Sequence, residues 1–194
     1  MPIITIDGNI GAGKTSILNY LHTNYNINVD LEPIDKWKPY LDNIYIGKKD
    51  YFKFLIRIWL DRSWIQEKNK SSLVIMERSP FFIRNTFNKY MYDINLINNN
   101  ENNIINELYD KTDIIWKSNY FIYLRCSPEK CLENIQKRGR ENELDISLDY
   151  LENIHKYHER AFEELEDKKI VIDVDDKSLE EISRDIYEFI HRLL

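Results

Sequence analysis

The stretch that most restricts what this chain can fold into is Gly8-Asn9-Ile10-Gly11-Ala12-Gly13-Lys14-Thr15, near the start of its 194 residues. It satisfies the phosphate-binding loop pattern G-x-x-x-x-G-K-[ST] at every fixed position. Glycine reaches the backbone conformations that let successive amides curl around an anion. Gly8, Asn9, Ile10, Gly11, Ala12 and Gly13 are therefore the expected cradle of a nucleotide polyphosphate. Lys14 supplies a point charge for the β- and γ-phosphates, and the Thr15 hydroxyl a ligand for magnesium. The flanks agree. Ile3-Ile4-Thr5-Ile6 is a β-branched apolar run suited to a buried parallel strand. Ile17, Leu18 and Leu21 share one face of a helix that begins at the loop. Strand, loop and helix in that order aim the positive end of a helix dipole at the phosphates.

The length suits one domain, 1–194, with a substantial core. A net charge of −6 leaves no basic excess for nucleic acid. No apolar run approaches the ~18 residues of a membrane span, and Met1-Pro2-Ile3 leads straight into the first strand, so no signal or transit peptide is expected. Cys126 and Cys131 are the only cysteines. They are too few for a disulfide framework and read as reduced packing residues of a cytoplasmic protein.

Further along, apolar runs that suit strands alternate with helical periodicity. The strand candidates are Ile27–Leu31, Ser72–Met76, Tyr120–Leu124 and Lys169–Val174. A long helix is expected from about Asp50 to Lys70, with Phe54, Ile58, Leu60, Trp64 and Ile65 as its core stripe. Two helices flank a polar Asn98-Asn99-Asn100 loop. Ser127-Pro128 caps and opens a helix to Lys137, and Ser147 caps another to Glu166. A final amphipathic helix runs from Ser178 to Leu194. Such alternation implies a five-stranded parallel sheet with helices on both faces.

Ligands of open parallel sheets gather at the carboxyl ends of the strands. The first strand delivers the loop, the second Glu32, the third Glu77 and Arg78. The fourth leads through a helix to Arg138 and Arg140. Phosphoryl transfer needs a phosphate cradle, a metal, a base for the attacking hydroxyl and cations for the transition-state charge, and these strand ends offer candidates for each.

Glu32-Pro33-Ile34-Asp35-Lys36-Trp37, Glu77-Arg78-Ser79, Tyr123 to Glu129, Arg138-Gly139-Arg140-Glu141-Asn142-Glu143 and the stretch Leu148 to Glu159 follow the loop in a telling order. In that order they resemble the deoxyribonucleoside kinase family, across nearly the whole chain. The resemblance implies a P-loop kinase three-layer sandwich, ATP and magnesium, and transfer of the γ-phosphoryl group to a deoxynucleoside 5′-hydroxyl in nucleotide salvage. It also implies a homodimer packed through helices, the Asp50–Lys70 segment and its neighbour among them. By position, Glu32 is the general base, Glu77 joins Thr15 at magnesium, and Arg78 holds the 5′-oxygen region and the base carboxylate. Lys14, Arg138 and Arg140 stabilise charge, the two arginines from a lid at about 138–146. Glu143 accepts from the sugar 3′-hydroxyl and Tyr45 donates to it. Trp37, Phe54 and Phe87, with Ile34, Leu41 and Ile44, enclose base and sugar.

Three positions depart from the family pattern. A glutamine that pairs with the base is replaced by Leu55, an aspartate four residues after Ser79 by Ile83, and an adenine-stacking arginine before the lid by Asn134. Arg62 matches a base-proximal arginine in some members, and its usual partner is missing. Two other readings stay open. One is a nucleoside monophosphate kinase of the thymidylate kinase type, for which Arg57 and Arg84 are candidate holders of the acceptor phosphate. The other is a non-catalytic subunit.

Overall fold

A computed structural model describes residues 3–45, 50–63, 73–116, 118, 120–166 and 168–193. Its centre is an all-parallel sheet in the order β2-β3-β1-β4-β5, formed by β1 (Ile3–Gly8), β2 (Asn28–Asp30), β3 (Val74–Glu77), β4 (Tyr120–Arg125) and β5 (Lys169–Asp173). β1 lies between β3 and β4, with Ile6 opposite Glu77 and Gly8 opposite Leu124. The phosphate-loop strand and the glutamate-bearing strand therefore end side by side.

Alternation along the strands divides the core. Ile4, Ile6, Ile75, Ile122 and Leu124 face α1 (Lys14–Tyr25) and α9 (Leu179–Leu193), burying Ile17, Leu18 and Leu21 against Ile182, Ile186 and Ile190. On the other face Phe121 packs against Phe82 of α4 (Pro80–Ile83) and against Ala161 of α8 (Leu148–Glu164), with Leu165 just beyond it. Helices thus cover both faces, the arrangement expected of strands rich in Ile and Val. A second, wholly helical core lies beside the sheet. Trp37 of α2 (Ile34–Tyr45) packs there with Phe54, Leu55, Ile58 and Trp59 of α3 (Tyr51–Ser63) and with Ile105 and Tyr109 of α6 (Asn99–Trp116).

Between α4 and α5 (Lys89–Asp93) the helix widens into a π turn, Arg84–Asn88. α7 (Pro128–Arg138) opens with Pro128 in its first turn, and Ser127 Oγ accepts from Lys130 N at 3.3 Å. Ser147 caps α8 in the same way, accepting from Tyr150 N at 3.2 Å.

Some expectations need correction. The sequence pattern assigned nothing between Pro33 and Asp50, yet α2 forms there around an internal Pro39. A loop does separate two helices near Asn98-Asn99-Asn100, but it spans 94–98 and includes only the first of the three asparagines. Asn98 Oδ1 accepts from Glu101 N and Glu101 Oε2 accepts from Asn98 N, a reciprocal cap that draws Asn99 and Asn100 into the first turn of α6. On α3, Leu60 is 41% exposed and lies outside the core stripe. The expected continuation of that helix to Lys70, including Trp64 and Ile65, and the first residue of the third strand, Ser72, lie outside the described residues. No helix among the described residues is long and apolar enough to cross a membrane.

Candidate active site

The loop from Gly8 to Thr15 is held in a closed curl. Gly11 and Gly13 have φ of 85° and 86°, the left-handed region that favours glycine. A Cβ on Gly11 would come within 2.4 Å of the Cys131 carbonyl oxygen, so α7 presses directly on the loop. Asn134 Nδ2 donates to the Gly11 carbonyl at 2.8 Å, and Asn9 Nδ2 to the Leu151 carbonyl at 2.9 Å. The loop is thereby tied to α7 and α8. Lys14 Nζ donates to the carbonyls of Gly8 and Asn9 at 3.0 and 2.8 Å. Burial, and next the charge of Arg78, lower its pKa to about 8.

Four charged side chains converge at the ends of β1, β2 and β3. Arg78 Nε donates to Glu32 Oε1, Thr15 Oγ1 donates to Glu77 Oε1 at 2.6 Å, and Glu32 N donates to Glu77 Oε2 at 3.1 Å. Burial raises the pKa of Glu32, but the charges of Arg78 and Lys14 outweigh it, leaving a net lowering. Glu77 is pushed upward by burial and then by the Glu32 charge. Arg78 is buried too, and the Glu32 carboxylate more than offsets that burial in keeping it charged. Its backbone takes φ 62°, uncommon for a residue with a side chain. The conformation is held on both sides: Arg78 N donates to the Ile6 carbonyl at 2.8 Å and Ser79 N to Asp7 Oδ1 at 2.9 Å. The Arg78 guanidinium lies 4.7 Å from the ring centroid of Phe87, which sits in the π turn.

Asp7 and Arg62 take part in this machinery in ways the sequence pattern missed. Asp7 is 0% exposed at the end of β1, and burial raises its pKa to about 6 despite its bond from Ser79 N and the nearby charges of Arg78 and Lys14. The signal was present: an acid one residue before the loop glycine, in a strand buried on both faces, has no route to solvent. Arg62 finds its partner on β2. Its Nη2 pairs with Asp30 Oδ2 at 2.9 Å and its guanidinium donates to the Asp30 and Leu31 carbonyls at 3.3 and 3.2 Å. It therefore fixes the backbone that carries Glu32.

Beyond α7 the chain turns at Gly139, φ 64°, into a short 3₁₀ segment, Glu141–Glu143. Glu143 Oε2 accepts from Arg138 Nε and Nη2 at 3.0 and 2.5 Å, and its Oε1 from Arg140 Nη1 at 3.2 Å. All three residues line one cavity of about 510 Å³ with Ile10, Gly11, Gly13, Lys14, Thr15, Glu32, Glu77, Arg78, Trp37, Phe54 and Phe87. Ile34, Leu41 and Ile44 line it as well. Gly8, Asn9 and Ala12 stand behind this lining, shaping the loop from within. Tyr45 ends α2, and its side chain lies outside the described residues. Charge and hydroxyl groups crowd one end of the cavity, and aromatic and aliphatic side chains form the other.

Neither Arg57 nor Arg84 reaches the cavity. Arg57 Nε and Nη2 donate to Asp61, and Arg84 Nε and Nη1 donate to Asn106 Oδ1 and Asp110 Oδ1 at 2.8 and 2.6 Å. The two arginines considered for an acceptor phosphate are therefore committed elsewhere, which removes their support for a monophosphate acceptor. Cys126 and Cys131 are free and buried, as expected of packing residues.

The family model for deoxynucleoside kinase matches residues 4–193. Protein 143R of Invertebrate iridescent virus 6, named as a kinase, is 31% identical over 197 aligned residues, covering 100% of this chain and 99% of that one. Mitochondrial thymidine kinase 2 of Homo sapiens is 27% identical over 168 residues, 81% of this chain and 63% of its own length. A solved structure of deoxyadenosine kinase from M. mycoides superposes with a TM-score of 0.83 at 26% identity, covering 99% of this chain and all of that one. The chain thus shares both the sequence pattern and the three-layer fold of these enzymes, and it belongs to the deoxynucleoside kinase family.

Proposed function

We propose that the chain transfers the γ-phosphoryl group of ATP to the 5′-hydroxyl of a deoxynucleoside, with the residues at its strand ends in distinct roles. The observation that carries this reading is the meeting of Glu32, Glu77, Arg78, Lys14 and Thr15 at the polar end of a cavity whose other end is apolar. One end suits a polyphosphate and the other a base and sugar.

In this reading the loop amides and Lys14 hold the triphosphate. Glu32, ionised at neutral pH, takes the proton from the 5′-hydroxyl as that oxygen bonds to the γ-phosphorus. The bond from phosphorus to the β–γ bridging oxygen breaks, and ADP leaves. Arg78 orients Glu32 and, with Lys14, Arg138 and Arg140, balances charge on the transferring group. Glu143 accepts from the sugar 3′-hydroxyl. The segment 138–146 acts as a lid within a single domain, 1–194.

Magnesium fits Thr15 and Glu77. Both present hard oxygens 2.6 Å apart, and Glu77 is a buried carboxylate beside a second one, Glu32, whose charge pushes its pKa up after burial does. Thr15 and Glu77 would hold the ion, which would supply positive charge against the donor phosphates. The family further suggests a homodimer through α3 and α6, whose Leu60 and Ile104 are exposed, and the two free cysteines fit a reducing cytoplasm.

The test is an assay of purified protein with ATP, magnesium, the deoxynucleosides and their monophosphates. Phosphorylation of deoxynucleosides is expected. Turnover of monophosphates alone would overturn the reading, and turnover of neither would make the chain a non-catalytic relative.

A further inference from the structure

The base is the part of a nucleoside with the most hydrogen-bonding groups, yet the cavity end that would receive it is built almost wholly from carbon. Leu55 and Ile83 line it with Phe54, Ile58, Met91 and Trp37. The polar side chains of Asp61, Arg62, Asn85, Thr86 and Asn88 on the surrounding elements stand outside the cavity lining. Arg62 Nε and Asn88 Oδ1 are buried without a hydrogen bond among the described residues, and the bonds these side chains make run elsewhere. Trp37 Nε1 donates to Asp61 Oδ2 at 2.9 Å, and Asp61 also takes both bonds from Arg57. Arg62 turns its Nη1 to Leu31 and its Nη2 to Asp30. In the π turn, Asn85 donates to the Phe81 carbonyl at 2.9 Å, Thr86 to the Phe82 carbonyl, and Asn88 to Asn102 Oδ1 at 3.0 Å. Among the described residues the tyrosine hydroxyls at this end are those of Tyr51, Tyr90 and Tyr150, the last packed on the Tyr90 ring at 5.6 Å between centroids. A rotatable O–H both donates and accepts, so it suits any base edge without choosing one.

We infer that this site selects its acceptor by sugar and 5′-hydroxyl and holds the base by apolar packing, with little reading of the base's hydrogen-bonding edge. Its substrate class is then deoxynucleosides of a fitting size whatever their edge, including nucleosides whose base has no hydrogen-bonding edge at all. The magnitudes separate the cases. An apolar pocket discriminates isosteres by about 10²-fold at most, whereas a site built to bond a polar edge rejects an analogue lacking it by about 10⁴–10⁵-fold. The inference rests on the deoxynucleoside kinase reading above.

The experiment measures kcat/KM of the full chain with ATP and magnesium for two size classes. One holds thymidine, deoxycytidine and a deoxynucleoside carrying difluorotoluene in place of thymine. The other holds deoxyadenosine, deoxyguanosine and one carrying methylbenzimidazole in place of adenine. Within any class that is used, all three compounds are expected to fall within about 10²-fold. A natural nucleoside turned over more than about 10³-fold better than its equal-sized apolar isostere would overturn the inference and leave the kinase reading standing. Failure of every compound to react would overturn both.

Discussion

At Arg78 two requirements collide. Its backbone is held at φ 62°, a conformation costing on the order of 1–3 kcal/mol, while its guanidinium is buried between the Glu32 carboxylate and the Phe87 ring. Asp7 resolves part of the conflict by gripping Ser79 N from below, and its burial makes its own ionisation costly. With its pKa raised from 3.8 to about 6, Asp7 binds its proton more tightly in the folded state than in the unfolded one. Its contribution is therefore fully present below pH 3.8 and is lost as pH rises through about 6, by at most about 3 kcal/mol at about 1.4 kcal/mol per pKa unit. Urea unfolding between pH 4 and 7 is expected to show this falling component, and Asp7→Asn, which keeps an acceptor for Ser79 N, to remove it. Glu32 behaves oppositely, since its pKa is lowered. No acid limb from Glu32 is expected in kcat/KM between pH 6 and 8, and Glu32→Gln is expected to cut kcat by about 10²-fold or more with ATP affinity retained. An unchanged kcat would remove Glu32 from its role. Lys14 sets the alkaline side. Its pKa near 8 in the empty site predicts constant ATP affinity below that pH and a decline above it, checked by titration calorimetry. At this scale the sequence showed Glu32, Glu77 and Arg78 plainly, because each follows an apolar run. The burial of Asp7 was legible from its place in the strand, but its bond from Ser79 N and that of Arg62 to the Asp30 carbonyl were not, since those partners lie 72 and 32 residues away.

Among elements, the loop and α7 form one unit. Gly11 meets Cys131 with no room for a side chain, and Asn134 closes the contact. Gly11→Ala is expected to destabilise the fold by about 2 kcal/mol or more, through backbone strain at φ 85° and a clash with main-chain oxygen that cannot swing aside. A denaturant midpoint equal to that of the parent would refute the contact. Strands and capped helices were readable from pattern because local chemistry decides them: Ser127 with Pro128, Ser147, and the isoleucine runs. The π turn was not readable. Its width is fixed by tertiary neighbours, with Phe87 packed edge-on to His158 and beneath Arg78. Helix α2 was hidden as well, since Pro39 argues locally against a helix.

For the whole molecule, the parallel sheet and its helical cover followed from alternation, whereas the helical core beside the sheet did not. That second core creates the apolar end of the cavity, and it also leaves Leu60 and Ile104 exposed on α3 and α6, at 41% and 47%. If those helices form the subunit contact, light scattering is expected to give twice the 23.5 kDa of one chain. Leu60→Glu with Ile104→Glu is then expected to give the single-chain mass. A parent protein that elutes as one chain would dismiss the contact. The shared clamp on Glu143 has an effect at this scale too. Two guanidinium groups already satisfied by one carboxylate make a poor trap for stray anions. Inorganic phosphate arriving alone must break that clamp with nothing else to gain, whereas a nucleoside triphosphate arrives already anchored by the loop. If 138–146 closes as proposed, this clamp is expected to insulate it against ambient anions and to yield its charge to a ligand that is also held at the loop.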